Sequence, residues 1–147
     1  MHVKPLSPQE LVPGKEIDFP PFSLSEQEII EFAKLLDPQK IHIDKAYAEA
    51  SMFGGIIASG PHAYHVAHKK YWIELASETF LCGLSIDHWK FFAPIYPDMD
   101  IYSSYRITEV SPSEKGNTAA VKWALKFKDK EGKLLQSLDV SVLHRIK

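Results

Sequence analysis

A chain of 147 residues, 45% apolar and 24% charged, has the size of one globular domain and enough apolar residues to bury a core. Its 17 basic and 19 acidic residues are well mixed and give a formal charge of -2, which lacks the basic field a phosphate backbone demands and argues against nucleic acid as a partner. No apolar run approaches the roughly 18 residues needed to span a bilayer, and the start His2-Val3-Lys4-Pro5 lacks the apolar stretch of a signal peptide, so a cytoplasmic protein without membrane association is expected.

Residues 1–24 carry Pro5, Pro8, Pro13, Pro20 and Pro21, which interrupt regular structure and leave room for a short strand near 16–19. This stretch reads as an entry arm. Ser25-Glu26-Gln27-Glu28 then forms a capping-box pattern, and Ile29, Phe32, Ala33 and Leu36 follow at helical spacing, predicting an amphipathic helix with its apolar stripe inward. Pro38 disfavours helical geometry at Asp37, so the helix must stop there and Asp37 should lie on a loop. Asp44 suits the N-cap of a second, short helix through Ala46, Tyr47 and Ala50, so Asp37 and His42 flank one tight connection.

After Phe53-Gly54-Gly55-Ile56-Ile57-Ala58-Ser59-Gly60, where paired glycines allow close backbone approach, Pro61 opens a helix expected over 61–77. From residue 81 onward the period changes. Val121, Trp123, Leu125 and Phe127 alternate with Lys122, Ala124, Lys126 and Lys128, and Leu138, Val140 and Val142 alternate with Ser137, Asp139 and Ser141. These are strands with one buried face, joined as an antiparallel hairpin by Asp129-Lys130-Glu131-Gly132-Lys133. With strand-like stretches over 84–92 and 101–110, the second half reads as a four-stranded meander. Helices first and strands after define an α+β domain over 1–147, with a sheet wrapped around one long helix.

The lone Cys82 cannot close an intrachain disulfide and is expected as a small buried residue. His62, His65 and His68 lie on the long helix, but successive residues turn about 100°, so the three cannot converge on one metal; a polar surface role is the default, with His62 or His65 near enough to the helix start to border a ligand. Tyr64, Tyr71 and Trp72 read as packing or dimer contact, and Trp123 and Phe127 as core.

His42 exchanges a proton near neutral pH, Asp37 five residues earlier can orient it or hold water, and the N–H groups around Gly60 can serve as donors to a developing oxyanion. An Asp and a His five residues apart recur by chance, so spacing alone leaves open a helix stop and a packed histidine.

The ordered run of a helix, Asp37-x-x-x-x-His42-x-Asp44, Ala46 and Ala48, then Phe53-Gly54-Gly55-Ile56-Ile57-Ala58-Ser59-Gly60, closely resembles the hydratase motif of MaoC-like proteins and R-specific enoyl-CoA hydratases. Trp89-Lys90-Phe91-Phe92-Ala93-Pro94-Ile95-Tyr96-Pro97-Asp98 is similar to a later strand and bend of that family. The resemblance implies a hotdog fold, in which an antiparallel sheet of five or six strands wraps a central helix and two protomers pair into a homodimer. It also implies a hydratase or dehydratase interconverting trans-2-enoyl and 3-hydroxyacyl thioesters of coenzyme A or acyl carrier protein, with no metal or other cofactor.

On matched positions, the resemblance makes Asp37 and His42 catalytic, gives the thioester carbonyl to the Gly60 N–H with Ser59 and Gly55 beside it, and leaves Gln39 and Asp44 to support the loop. Gln39 replaces the family's usual Asn, Lys40 the following Pro, and Ser59 a common His, a combination similar to one branch of the MaoC-like proteins. A hotdog thioesterase is an alternative, weakened because Glu74 lies more than three turns, or about 20 Å, from Gly60. A silent acyl-thioester-binding module is the other.

Overall fold

The computed structural model describes residues 2–147. Five antiparallel strands, β1 (Glu16–Asp18), β2 (Phe80–Phe91), β3 (Tyr102–Pro112), β4 (Thr118–Lys128) and β5 (Leu134–Arg145), form one sheet in the order β1-β3-β4-β5-β2. The hairpin of β4 and β5 pairs from Thr118↔Arg145 to Lys128↔Leu134, as the alternation predicts. Its turn is held by the Asp129 carboxylate, which accepts from the N–H groups of Glu131 and Lys133, while Gly132 takes the left-handed φ of +84 that a side chain would resist.

The meander holds only for β3, β4 and β5. β2 crosses to the far edge and pairs with β5, because a strand that follows the long helix must first close over it. β2 also begins at Phe80, earlier than the alternation suggested, and its side chains are mostly exposed. Cys82 lies on it and is exposed, not buried, since an edge strand has no second layer to cover it.

One face of the sheet carries the core. Val121, Trp123, Leu125 and Phe127 of β4 are buried with Tyr105 and Ile107 of β3 and Leu138, Val140 and Val142 of β5. Against them lies the central helix, made of α-helical His62–Ala67, π-helical His68–Trp72 and a last turn, Ile73–Leu75. Ala63 and Ala67, both buried, bring its backbone close to the sheet, and Trp72 meets Trp123 edge to face at 5.1 Å. The predicted sheet wrapped on a helix is present.

The first helix, α1 (Glu26–Leu36), starts at the reciprocal Ser25/Glu28 capping box. Ile29 and Ala33 of its stripe are fully buried, whereas Leu36 is exposed because the helix runs past the core edge before it stops. Beyond it, α2 (Lys40–Ile43) and α3 (Lys45–Glu49) are single turns, the second capped by Asp44, whose carboxylate accepts from the Tyr47 N–H.

Candidate active site

Asp37 stands where α1 ends, its N–H still bonded to the Ala33 carbonyl, and Pro38 forces the chain to turn. His42 lies on the one-turn helix α2 instead of an open loop, so its backbone is fixed by local hydrogen bonds. The segment 56–60 runs alongside, tied by Ile57 N–H to the Ile41 carbonyl and by Ala58 N–H to the Ile95 carbonyl. Three separate pieces of chain thereby meet: the end of α1, the turn α2, and the approach to the central helix.

His42 is buried, and its Nδ1 lies 2.7 Å from the Ile57 carbonyl oxygen. A carbonyl only accepts, so Nδ1 carries the proton and donates it, which leaves Nε2 with a free lone pair in the neutral ring. Nε2 points at Asp37 Oδ2 from 3.4 Å. Ser59 Oγ donates to the same Oδ2 at 2.6 Å, and Gln39 Nε2 donates to Oδ1 at 2.8 Å. These bonds from Ser59 and then Gln39 hold the Asp37 carboxyl below the usual carboxylate range, outweighing the opposing effect of burial. Two of the three departures from the commonest motif, Gln39 and Ser59, therefore touch Asp37 directly.

When the imidazole is neutral, His42 Nε2 and Asp37 Oδ2 are both acceptors and do not bond each other. A water bridging them from one side can donate one proton to each and would then present an oxygen lone pair, so the arrangement can hold and polarise a water.

His42 and Gly60 line one cavity of about 380 Å³, with Phe53, Phe91, Phe92 and Ile95 among its apolar walls. Among the described residues the Gly60 N–H has no partner within the chain. The Gly60 carbonyl accepts from Gln136 Nε2 at 3.0 Å, and Trp89 Nε1 lies 3.4 Å from Gln136 Oε1. Phe91 lies so close over Gly60 that a Cβ there would come within 2.7 Å of its ring. Only glycine leaves that ring where it is.

Gly55 does not line the cavity and meets no neighbouring atom at its would-be Cβ, so its part in binding substrate is not one the geometry supplies. Asp44 caps α3 through the Tyr47 N–H, and Gln39 donates to the Asp37 carboxylate. His62 is buried and stacks on Phe32 at 4.1 Å, which corrects its reading as a surface residue: its helix face turns toward α1 instead of solvent. Glu74 is exposed and lines no part of this cavity.

Gln136 is not singled out in the sequence, and Trp89 and Phe91 are read there only as part of a family-like strand, without a place at the site. Gln136 carried a signal, being a polar residue on the same side of β5 as Leu138, Val140 and Val142. Trp89 lies within, and Phe91 just after, a bulge in which Asp87↔Asp139 gives way to Lys90↔Ser137, with His88 at φ 54, and this extra residue re-aims the end of β2. No local pattern in the sequence announces that bulge.

Residues 9–126 match the family described as MaoC like domain. A Bacillus subtilis protein, YdeM, described as uncharacterized, is 32% identical over 91 residues; the match covers 60% of this chain and 64% of that relative's length. Among solved structures, a MaoC-like dehydratase from Rhodospirillum rubrum superposes with a TM-score of 0.84 at 23% identity, covering 97% of this chain and 98% of that one. An unliganded R-hydratase from Pseudomonas aeruginosa gives 0.75 at 21% identity over 99% and 89% of the two chains. The structure of a protein titled monoamine oxidase regulatory protein, from Archaeoglobus, gives 0.82 at 23% identity over 98% and 97%. These likenesses establish a hotdog fold.

Proposed function

The chain belongs to the MaoC-like domain family, and from that premise we propose that it adds water to a trans-2-enoyl thioester of coenzyme A or acyl carrier protein and catalyses the reverse dehydration. The observation that carries this reading is the pairing of His42 Nε2 with Asp37 Oδ2 at 3.4 Å, when the other imidazole nitrogen is committed to the Ile57 carbonyl.

In the proposed reaction a water donates to both groups and presents its oxygen to the β-carbon. His42 Nε2 takes one water proton as the oxygen bonds to that carbon, and the electrons of the double bond move toward the thioester carbonyl. The Gly60 N–H steadies the enolate-like oxygen. The imidazolium then returns its proton to the α-carbon on the same face, so that OH and H arrive together from one water. Asp37, kept ionised by Ser59 and Gln39, holds the water and stabilises the transient imidazolium. The reaction forms one C–O and one C–H bond from the atoms of a single water as the C=C π bond is consumed, and no step calls on a metal or redox group.

A second copy of the chain is the proposed partner. β2 ends the sheet with an open edge and exposes Phe80, Leu81, Leu84 and Ile86, a combination that soluble proteins cover. Edge pairing of two β2 strands would join the two sheets, and sedimentation at several concentrations measures it.

The activity test is loss of the ultraviolet absorbance of the conjugated enoyl thioester, run on crotonyl-CoA and longer trans-2-enoyl-CoA substrates with thiol release followed in parallel. Consumption without free thiol supports hydration; thiol release would make the protein a thioesterase, and binding without either a silent module. Asp37→Asn and His42→Ala should each cost about 10²–10⁴-fold.

A further inference from the structure

Of the residues that β5 turns toward the core, Leu138, Val140 and Val142 are apolar, whereas Gln136 in the same register is a primary amide only 3% exposed. Burying an amide costs free energy unless its donor and its acceptor are both met, so packing alone would favour an apolar side chain there. Gln136 meets both. Its Nε2 donates to the Gly60 carbonyl at 3.0 Å, and its Oε1 accepts from Trp89 Nε1 at 3.4 Å. A carbonyl only accepts and an indole N–H only donates, so the two partners demand the same orientation of the amide. Trp89 in turn stacks with Phe91 at 5.7 Å, and the Phe91 ring lies close over Gly60. Gly60, Gln136, Trp89 and Phe91 thus form a closed circuit of contacts around the glycine that borders the dyad cavity.

The backbone at Gly60 needs such support. The His62 N–H donates to the Ser59 carbonyl at 3.1 Å, so 59–62 is a tight turn with Gly60 and Pro61 at its centre. Proline at the third position works against the commonest turn, because it drives the residue before it out of helical geometry. Here that residue is glycine, which has the loosest backbone of all. No backbone N–H reaches the Gly60 carbonyl among the described residues, since the helical ladder opens with His65 bonding to the Pro61 carbonyl. Gln136 is therefore what holds the second peptide unit of the turn. The first unit carries the Gly60 N–H, and rotation of the second would loosen the His62–Ser59 bond and let that N–H turn as well.

We propose that Gln136 is a positioning residue: by tethering the Gly60 carbonyl it fixes the aim of the Gly60 N–H at the thioester carbonyl. The inference rests on the hydratase reading and adds to it a residue outside the motif. Only a side chain that donates and accepts at once satisfies Gly60 and Trp89 together, so neither Met nor Glu, though similar in length, replaces it.

The test measures kcat and KM separately on crotonyl-CoA. Losing an oxyanion donor outright costs about 10²–10³-fold in kcat. Gln136→Met leaves that donor present but loosely aimed, and should lower kcat by about tenfold while KM changes less than about twofold. Trp89→Phe keeps the Gln136–Gly60 bond and removes only the donor to Oε1, so it should lower kcat by a smaller factor; it carries the kinetic test where Gln136→Met does not fold, and an unchanged kcat there rejects the circuit.

Gln136→Glu adds a readout that lost packing would not give. Ionised, the new carboxylate has no proton to offer the Gly60 carbonyl. Burial beside that carbonyl raises its pKa, so as pH falls it takes up a proton and can donate again. Activity relative to wild type should therefore rise by about fivefold or more from about pH 8.5 to about pH 6. Difference infrared spectra of bound butyryl-CoA, isotopically labelled at the carbonyl carbon, read the same contact apart from turnover, since this thioester has no double bond to hydrate. Wild type should lower the carbonyl stretch, and Gln136→Met should reverse most of that shift.

An unchanged kcat in Gln136→Met, or a pH-independent ratio in Gln136→Glu, overturns the inference and leaves hydration standing. If wild type consumes no enoyl thioester, the hydratase reading fails by itself and the infrared shift decides for Gln136. A shift lost in Gln136→Met upholds its hold on Gly60; a shift retained, or no binding of butyryl-CoA, rejects it.

Discussion

Ser59 Oγ and His42 Nε2 converge on the same oxygen of Asp37, at 2.6 and 3.4 Å. One lone-pair region of Oδ2 is taken by a short bond from a buried hydroxyl, and the remainder faces the imidazole edge. Ser59 thus fixes which way the carboxylate turns as well as its charge.

Replacing Ser59 with Ala should therefore raise the Asp37 pKa, because the largest influence holding it down is gone. The acid limb of kcat/KM against pH should move to higher pH, with activity at neutral pH reduced on the order of tenfold. Ser59→Thr, which keeps the hydroxyl, should restore the profile. An acid limb that stays in place in Ser59→Ala would show that Asp37 does not need this donor.

Gly60→Ala tests the approach of Phe91. The new methyl would meet the ring at 2.7 Å and drive it across the cavity mouth. Turnover should fall by about tenfold or more, and the double variant Gly60→Ala/Phe91→Ala should recover part of it. No recovery would mean that alanine harms the Gly60 N–H itself.

His144 contributes to the pH dependence of stability on the acid side. It is fully buried, with Trp123 Nε1 donating to its Nε2 at 3.2 Å and Nδ1 facing Thr79 Oγ1 at 2.9 Å, and burial pushes its pKa down to about 4. The neutral ring is favoured in the folded protein. Its stabilising contribution is complete above the unfolded value of about 6.5 and is lost as pH falls from there to about 4, by about 3 kcal/mol in all. Denaturant midpoints measured across that window should decline in wild type and decline less in His144→Gln.

Ser25→Ala should cost about 1 kcal/mol of stability by removing one half of the capping box. The site lies at the other end of α1, so the pH dependence of turnover should keep its shape. A shifted profile would indicate that the helix start and Asp37 move together.

The alternation of β4 and β5 was legible because one face is buried, and the α1 boundaries because a capping box and Pro38 mark them. Asp37 and His42 were legible as a motif, and the Ile57 carbonyl that sets the His42 tautomer was not, because it comes from fifteen residues away through backbone. β2 defeated the reading twice. Its partner is chosen by the closure of the sheet over the helix, and its exposed Cys82 follows from an edge position, neither of which a local pattern encodes. Gln136 and His144 could have been found as polar residues in the apolar register of β5.

The Ile57 carbonyl that orders the His42 ring and the unpaired Gly60 amide stand three residues apart on one tethered segment. A single change within 57–60 that moved this segment would displace the partner of the imidazole and the free amide at one stroke, so the two features cannot vary independently.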